Sequence, residues 1–261
     1  MPKAVFLDID GTLLSFVTRQ VPISAYNAMH KAKENGVKLF IATGRHKNEL
    51  GIDAHLSKFP FDGYVTQNGA YCYAKKAIVH ACPLQKSTVN AVVKLIQEQP
   101  FACMFCEEDG MFINSLSDNV LKILNGYKLP IPPVGDIARV LVTDIYQIVP
   151  IELKEAVQEL YNLPGAKVSK WHDGGFDIVD ADVNKWAGIQ KMIEHYGILP
   201  EETAAIGDAE NDIEMLQNAG FSVAMGNASN EVKKSAMHVT THVDEDGLAN
   251  AFNHMFRWAN D

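Results

Sequence analysis

The 261-residue chain is 47% hydrophobic and 21% charged, a balance typical of a globular protein with one large or two modest domains. Its net charge of −9 argues against anionic partners, so we expect neither nucleic acid nor a membrane surface to be bound. No apolar run approaches the length that spans a bilayer, we expect no secretion leader, and four cysteines are too few for a disulfide scaffold, which together favour a cytoplasmic protein.

The first eighty residues alternate between predicted strands and predicted helices. Continuous apolar runs at 4–9 and 37–42 predict buried strands, and 63–70 contains a shorter third strand. Apolar residues at helical spacing predict a helix over 22–35, and another helix is expected to begin within 43–56. Strands that are apolar on both faces and separated by helices indicate a parallel sheet covered by helices.

The pattern changes between residues 84 and 184, where hairpins mix with helices. The predicted order is a helix at 87–99, paired strands at 101–108 and 110–115, a helix at 117–127, a strand at 138–149, a helix at 152–161 and a hairpin at 167–181. This mixture is typical of an α+β unit with an antiparallel sheet. Cys103 and Cys106 have CxxC spacing, but no second pair exists, so we interpret them as reduced structural thiols.

From Lys185 onward the alternating pattern returns. The predicted elements are a helix at 185–196, a strand at 203–207, a helix near 210–219, strands at 221–225 and 238–241, and a closing helix. We therefore predict an α/β fold with a Rossmann-like parallel-sheet core, formed by residues 1–83 and 184–261. Residues 84–183 would form an inserted α+β domain.

Two carboxylates follow the first predicted strand. Asp8 ends a run that otherwise carries no charge, and Asp10 lies two positions later, on the same side of an extended backbone. Carboxylates held this close repel each other unless a cation lies between them, and Mg²⁺ prefers oxygen ligands. Asp208, which closes another apolar strand, would supply a third oxygen. The alternative is a solvated turn, because aspartate and glycine are common in turns.

Further polar positions suit a bound phosphate group. Thr43 precedes Gly44 after the second strand, and its hydroxyl with the next backbone N–H could hold a phosphate oxygen. Lys185 could neutralise phosphate charge, and Asp212, four residues after Asp208, could anchor that lysine or a metal-bound water. Singly, these residues could be a helix N-cap, a solvated lysine and first-turn acidity. Together they favour a site, because ligands of open α/β sheets bind beyond the carboxyl ends of the strands.

The motifs resemble those of the haloacid dehalogenase-like (HAD) superfamily. Its four signature motifs are matched in order by DIDGT at 8–12, ATGR at 42–45, Lys185 and GDAENDIEM at 207–215. TQNGA at 66–70, SVAMGNASNEVKKSA at 222–236 and the inserted segment resemble the Cof-like branch with a type C2B cap. The resemblance covers essentially the whole chain. In NKWAG at 184–188 the glycine stands three positions after the lysine, whereas relatives commonly place it directly after.

The resemblance implies catalytic and metal-binding roles for four aspartates. Asp8 would be the nucleophile that forms an aspartyl-phosphate, and Asp10 would protonate the leaving oxygen and then activate water. Mg²⁺ would be held by Asp8, by the backbone carbonyl of Asp10 and by Asp208, with Asp212 in support.

The resemblance also implies a phosphate-binding set. Thr43, Lys185 and Asn211 would hold the phosphoryl oxygens, and Gly44 and Arg45 would line the site. The cap would exclude water and select the leaving group. Relatives with this cap generally act on phosphorylated sugars and similar small metabolites, so the expected partner is a small phosphorylated metabolite. We expect a monomer or a weak homo-oligomer.

Two alternatives to a phosphatase stay open at this point. A phosphomutase would use the same aspartyl-phosphate but return the group to a sugar, which product analysis distinguishes. A non-catalytic phosphate-sensing module would combine the same acidic pocket, threonine and lysine. Asp10 argues against the sensing module, because a long-lived phosphate on Asp8 needs no adjacent general base.

Overall fold

The computed structural model describes residues 1–52, 56–75, 77–153, 157–172 and 174–257. The chain divides into two compact units. The first unit comprises Met1–Gly44, Asp53–His80 and Asn184–Asp261, and the second comprises Arg45–Ile52 and Ala81–Val183. The first unit is therefore built from both ends of the chain.

The first unit contains an eight-stranded sheet in the order β13-β12-β11-β1-β2-β3-β4-β5. Its strands are β1 (Ala4–Leu7), β2 (Lys38–Ala42), β3 (Gly63–Thr66), β4 (Tyr71–Ala74), β5 (Ala77–Ala81), β11 (Thr203–Gly207), β12 (Phe221–Ala224) and β13 (His238–Val239). The strands from β13 to β3 are parallel, whereas β4 runs antiparallel to β3. The predicted α/β core with a mostly parallel sheet is confirmed.

The register of the central strands determines where the polar side chains lie. β1 is completely buried and pairs on both sides, with Leu7 opposite Ile41 of β2 and Ile206 of β11. Because parallel strands end at the same edge of a sheet, the residues that follow β1, β2 and β11 come together there. Those residues include Asp8, Thr43 and Asp208.

The helices of the first unit are α1 (Ile23–Glu34), α5 (Lys185–Tyr196), α6 (Ile213–Asn218), α7 (Asn230–Ser235) and α8 (Gly247–Phe256). Helix α1 begins directly after Pro22, and Gly36 takes a φ of +80° beyond its end, as expected for a chain reversal after a helix. Helix α5 begins at Lys185, capped by the Asn184 side chain, which accepts a hydrogen bond from Ala187 N at 2.9 Å. Among the described residues, no helix is both long enough and apolar enough to cross a membrane.

The predicted helix within 43–56 is wrong for the described part of that segment, which forms short 3₁₀ helices at Lys47–Ile52 and Leu56–Lys58. Local side-chain hydrogen bonds favour the tighter turn: Glu49 Oε2 accepts from His46 N at 2.7 Å, and His46 Nδ1 accepts from Asn48 N at 3.2 Å. Residues 53–55 lie outside the described residues. The sequence also failed to predict β4 and β5, which follow a turn with positive φ at Gln67, Asn68 and Gly69.

The second unit contains a five-stranded antiparallel sheet in the order β7-β6-β8-β10-β9. Its elements are α2 (Lys86–Glu98), β6 (Ala102–Cys106), β7 (Met111–Ile113), α3 (Asp118–Gly126), β8 (Gln147–Ile151), α4 (Val157–Tyr161), β9 (Ala166–His172) and β10 (Gly175–Asp180). The predicted antiparallel sheet is confirmed. The strand predicted at 138–149 is right only at its end, because β8 begins at Gln147 and a 3₁₀ helix at Ile137–Leu141, capped by Asp136, precedes it.

Two apolar clusters cover the two faces of the second sheet. Cys103, Phe105 and Ile148 contribute to one cluster with α2, and Met104 and Val149 contribute to the other with α3. All four cysteines of the chain are thiols rather than disulfides. Cys103 and Cys106 lie on β6 with their side chains in opposite clusters, as three-residue spacing on a strand requires. They cannot form a disulfide with each other in this arrangement.

Candidate active site

Asp8 leaves β1 at the carboxyl edge of the first sheet. Its backbone N–H donates to Ile206 O at 3.0 Å, which continues the β1–β11 ladder by one residue. The chain then turns tightly, and Ile9 O accepts hydrogen bonds from the backbone N–H groups of Thr12, Leu13 and Leu14. This turn keeps the half-buried Asp10 beside the almost completely buried Asp8.

Gly11 is the residue that allows this turn to approach β11. Its φ is +85°, a conformation that side chains with a Cβ rarely adopt. A Cβ at this position would lie 2.1 Å from Asp208 Oδ2 and 2.7 Å from Phe16 Cε2. Glycine is therefore required both by the backbone conformation and by the close approach of the Asp208 carboxylate.

Lys185 joins two of the predicted carboxylates. Its Nζ donates to Asp8 Oδ1 at 2.7 Å and to Asp212 Oδ1 at 2.6 Å, and its side chain is completely buried. Burial lowers the pKa of Lys185, but the Asp212 and Asp8 carboxylates outweigh that effect and raise it above its ordinary value. The lysine is therefore a permanent cation that fixes the orientation of the Asp8 carboxylate.

Asp212 holds the loop after β11 with its second oxygen. Asp212 Oδ2 accepts from Asp208 N at 2.9 Å and from Ala209 N at 3.0 Å. Asp208 and Asp212 do not share an α-helical face, because a 3₁₀ turn at Glu210–Asp212 separates β11 from α6. The turn is favoured because one carboxylate satisfies two backbone donors within it. Asp212 therefore contacts Lys185 with one oxygen and the loop with the other.

Asp208 is positioned by two residues that sequence reasoning did not select. Thr12 Oγ1 donates to Asp208 Oδ1 at 3.2 Å, and Asn227 Nδ2 donates to Asp208 Oδ2 at 3.0 Å. Asn227 Nδ2 also donates to Gly11 O at 2.8 Å, and Asn227 Oδ1 accepts from Val243 N at 3.0 Å. Thr12 stands in the DIDGT motif and Asn227 in SVAMGNASNEVKKSA. Their contacts with Asp208 span 196 and 19 residues of sequence, so no local sequence pattern predicts them.

The acidic group fits a hard divalent cation. Asp8, Asp208 and Asp212 each offer one oxygen, and these oxygens lie within 4.8 Å of one another. Burial raises the pKa of Asp8, an effect that Lys185 opposes and the carboxylates of Asp212 and Asp10 increase. Burial also raises the pKa of Asp208, and Asp8 and Asp212 add to that rise. Three carboxylates face one lysine, so the excess negative charge and the oxygen-only donors suit Mg²⁺.

The predicted phosphate-binding residues of the first unit are linked through one turn. Asn68, with a φ of +55°, donates from its backbone N–H to Thr43 O at 3.0 Å, and its Oδ1 accepts from Asn211 Nδ2 at 2.9 Å. Thr43 is buried and its N–H donates to Val65 O at 2.8 Å. Asn68 was not selected as a site residue, although it stands in the TQNGA motif.

Arg45 belongs to the second unit rather than the first. It is buried there, and its Nη1 donates to Glu49 O at 3.3 Å. Gly44 is the last residue of its segment of the first unit, so the chain passes between units directly after the Thr43–Gly44 pair.

Trp171, a residue of the predicted hairpin, packs its ring edge-on against the ring of Tyr127, with 5.4 Å between the two ring centroids.

The unusual spacing of the glycine after Lys185 has a packing reason. A Cβ on Gly188 would lie 2.7 Å from the Val65 side chain and 2.9 Å from Gly69 Cα. Gly188 therefore allows α5 to approach β3 and the turn that follows it. Lys185 itself remains the first residue of α5.

Comparison with known proteins places these features in a family. Residues 5–252 match the sequence model of the haloacid dehalogenase-like hydrolases. A solved structure of a HAD subclass IIB sugar phosphatase is 33% identical, with a TM-score of 0.91 over 97% of this chain and 99% of that one. A HAD phosphatase from Bacteroides thetaiotaomicron is 34% identical, with a TM-score of 0.87 over 98% and 96% of the two chains. Pyridoxal phosphate phosphatase YbhA of Escherichia coli K12 is 28% identical over 95% of this chain and 96% of its own.

Proposed function

Because this chain belongs to the haloacid dehalogenase-like hydrolase family and is a phosphatase, we propose that it hydrolyses sugar phosphates with Mg²⁺ through an aspartyl-phosphate on Asp8. The observation that carries this proposal is the wholly buried Lys185 ammonium, which contacts Asp8 and Asp212 together. An enzyme that transfers a phosphoryl group needs a fixed nucleophile and a nearby positive charge. Both are present at the carboxyl edge of the first sheet.

The first step transfers the phosphoryl group to the protein. One oxygen of Asp8 attacks phosphorus, the bond between phosphorus and the ester oxygen breaks, and Asp10 gives its proton to the departing alkoxide. Lys185 holds the attacking carboxylate by its Oδ1 atom, which favours attack along a single line. The product of this step is an aspartyl-phosphate, a free alcohol and an ionised Asp10.

The second step releases inorganic phosphate. Asp10 takes a proton from water, the water oxygen attacks phosphorus, and the bond to Asp8 breaks. Asp8 leaves as a carboxylate and Asp10 is protonated again, so the enzyme returns to its starting state. Asp10 follows Asp8 closely in the same tight turn, which supports its use in both steps.

Mg²⁺ would be held by Asp8, Asp208 and the backbone carbonyl of Asp10, where it would neutralise charge on the phosphoryl oxygens. Asp212 supports this arrangement indirectly, since its two oxygens hold Lys185 and the loop of Asp208. Burial raises the pKa of Asp8 and Asp208, and neighbouring carboxylates add to that rise; the cation would relieve the repulsion among these carboxylates.

The phosphoryl oxygens would be bound by Thr43, Gly44, Lys185 and Asn211. Two contacts of Asn68 support this grouping, because its backbone N–H donates to Thr43 O and its Oδ1 accepts from Asn211 Nδ2. Arg45 is proposed as a residue that lines the site. Residues 84–183 are proposed to act as the cap that selects the leaving group, and their separate antiparallel sheet supports an independent role.

The sugar phosphate class is supported by the 33% identity to a sugar phosphatase over nearly the whole length of both chains. The 28% identity to a pyridoxal phosphate phosphatase supports small phosphorylated metabolites more broadly. The cytoplasmic location and the monomeric or weakly associated state remain predictions.

Phosphate release from p-nitrophenyl phosphate and a panel of hexose and pentose phosphates tests the proposal. We expect activity with Mg²⁺, loss of activity with EDTA, and the highest kcat/KM for a sugar phosphate. Activity that survives chelation would refute the metal requirement. An isomerised sugar phosphate without free phosphate would identify a phosphomutase instead.

A further inference from the structure

A turn with three consecutive positive φ values separates β3 from β4. The φ values are +52° at Gln67, +55° at Asn68 and +104° at Gly69. Glycine adopts this region freely, whereas glutamine and asparagine adopt it only at a cost in conformational energy. Backbone strain of this kind persists where surrounding contacts hold it, and it is concentrated at functional sites. The contacts of this turn therefore indicate what the strained conformation serves.

The turn contacts three other segments of the first unit. The backbone N–H of Asn68 donates to Thr43 O, 3.0 Å away, in the segment that follows β2. The Asn68 side chain reaches the segment after β11, where its Oδ1 accepts from Asn211 Nδ2 at 2.9 Å. A Cβ on Gly69 would lie 2.2 Å from Asn184 O, so the turn packs directly against the cap of α5. The segments that follow β2 and β11 and the start of α5 therefore meet at this turn.

The Asn68 side chain fixes the orientation of the Asn211 amide. Because Asn68 Oδ1 accepts from Asn211 Nδ2, the nitrogen end of that amide lies at the turn that also holds Thr43. An amide nitrogen carries two hydrogens, and this contact uses one of them, so the other can donate to an anion. With the opposite orientation the amide would present its oxygen there, and an acceptor repels a phosphoryl oxygen.

We propose that Asn68 is a positioning residue for phosphate binding and that it acts through Asn211. It holds the Asn211 amide so that the nitrogen, rather than the oxygen, meets a phosphoryl oxygen. This inference rests on the proposed function, because it assumes that Asn211 binds the phosphoryl group. The positive φ of Asn68 lets its backbone N–H contact Thr43 while its side chain contacts Asn211.

Asn68→Gly tests this role, because glycine adopts the positive φ without strain, keeps the N–H that donates to Thr43 and removes only the carboxamide. The measurement is the Kd of inorganic phosphate at saturating Mg²⁺, by isothermal titration. We expect Kd to rise about fivefold in Asn68→Gly and about tenfold in Asn211→Ala, since losing an orientation costs less than losing a donor to an anion. The double variant should bind phosphate within about twofold of Asn211→Ala alone, because residues that act through one contact are not additive.

Lys75→Gly is the matched control for the introduction of a glycine. Lys75 is an exposed residue between β4 and β5 of the same unit, and its φ is also +55°. Its substitution should leave the phosphate Kd within about twofold of wild type, as expected for a surface position.

Mg²⁺ affinity separates positioning from a general loosening of this edge of the sheet. The cation is proposed to be held by Asp8 and Asp208, so its Kd should not change in Asn68→Gly. Loosening of the edge would instead weaken the binding of Mg²⁺ and phosphate together.

Three results would overturn the inference: an unchanged phosphate Kd in Asn68→Gly, a parallel loss of Mg²⁺ affinity, or a double variant in which the two losses multiply. In the last case the contribution of Asn68 would not pass through Asn211. Failure of the proposed function is recognised separately, because wild type with Mg²⁺ would then release no phosphate from p-nitrophenyl phosphate.

Discussion

The ammonium of Lys185 donates to the carboxylate of Asp212 at 2.6 Å in an environment that excludes solvent from both side chains. Asp212 in turn accepts from the backbone of Asp208 and Ala209. A single buried pair therefore connects the start of α5 to the loop after β11. Removing the Lys185 ammonium would leave the negative charges of Asp8, Asp208 and Asp212 facing one another without a neighbouring positive charge.

Lys185→Met should destabilise the metal-free protein by about 3–5 kcal/mol, the usual cost of breaking a buried ion pair from one side. Urea denaturation in EDTA measures this change. Lys191→Met on the same helix is the control, because the Lys191–Glu194 pair is solvent-exposed and 3.9 Å long; its removal should cost less than about 1 kcal/mol. Equal effects of the two substitutions would contradict the structural role given to Lys185.

Gly11→Ala should abolish activity and weaken Mg²⁺ binding, because its Cβ would collide with the Asp208 carboxylate. Gly36→Ala separates this collision from backbone strain. Gly36 has a similar φ of +80° but no atom within 4 Å of the added Cβ, so the control should cost about 1 kcal/mol of stability and keep full activity. Isothermal titration with Mg²⁺ and phosphate-release assays provide the measurements, and an active Gly11→Ala enzyme would refute the assigned contact.

Mg²⁺ should stabilise the protein more at pH 8 than at pH 6. The pKa of Asp208 is raised by burial and by Asp8 and Asp212, so the metal-free folded state binds more protons than the unfolded state above about pH 4, the ordinary range of a carboxyl group. The stability that the protonated Asp208 carboxyl contributes to the metal-free protein is complete below that pH and is lost as pH rises towards the raised pKa. Mg²⁺ that binds the ionised carboxylates restores the lost stability. Fewer protons compete with Mg²⁺ for these carboxylates at higher pH.

Thermal denaturation with and without Mg²⁺ at the two pH values tests this prediction. Asp208→Asn is the control, because it removes a titrating carboxylate and should reduce the difference between the two pH values. A magnesium-induced shift of the same size at pH 6 and pH 8 would contradict the prediction.

His46 should make the second unit sensitive to acid. Its Nε2 lies 3.1 Å from Glu107 O and its Nδ1 accepts from Asn48 N at 3.2 Å, so the neutral ring is the form that satisfies both contacts. Burial lowers the pKa of His46. Below about pH 6.5 the unfolded state therefore binds more protons than the folded state does. The stability that the neutral His46 contributes is lost as pH falls from that value towards the lowered pKa.

His46→Gln keeps a side-chain donor that can reach Glu107 O but does not titrate, so its midpoint temperature should fall less than that of wild type between pH 7.5 and pH 5.5. The exposed His195→Gln serves as the control and should follow wild type. If His46→Gln and wild type lose the same stability on acidification, the assignment of a neutral His46 is wrong.

The parts of the fold that were predicted correctly are those encoded by local pattern. The apolar runs around Phe6, Phe40 and Ile206 predicted strands of a parallel sheet, since such strands are buried on both faces. The helix at 185–196 was predicted at its observed bounds because Asn184 is a good cap and Gly197 takes the left-handed conformation after its end.

The parts that the sequence did not predict depend on distant contacts. Thr12 and Asn227 hold Asp208 from far apart in the chain, and no local pattern marks such a pair. The 3₁₀ turns after Gly44 and before α6 depend on side-chain hydrogen bonds made by Glu49 and Asp212, which compete with α-helix formation. Sequence spacing alone does not reveal whether a 3₁₀ turn or an α-helix forms at these two places.

A rapid-quench experiment with Asp10→Asn and p-nitrophenyl phosphate tests most directly whether Asp8 is the nucleophile. Nitrophenolate leaves without a proton, so the first step should proceed while the second step, which needs Asp10 as a base, is slowed. We predict a burst of about one nitrophenolate per enzyme molecule, with the phosphoryl group recovered by peptide mapping on Asp8. We predict no burst in Asp8→Asn. A phosphoryl group on any other residue, or a burst that persists in Asp8→Asn, would contradict the assignment of Asp8 as the nucleophile.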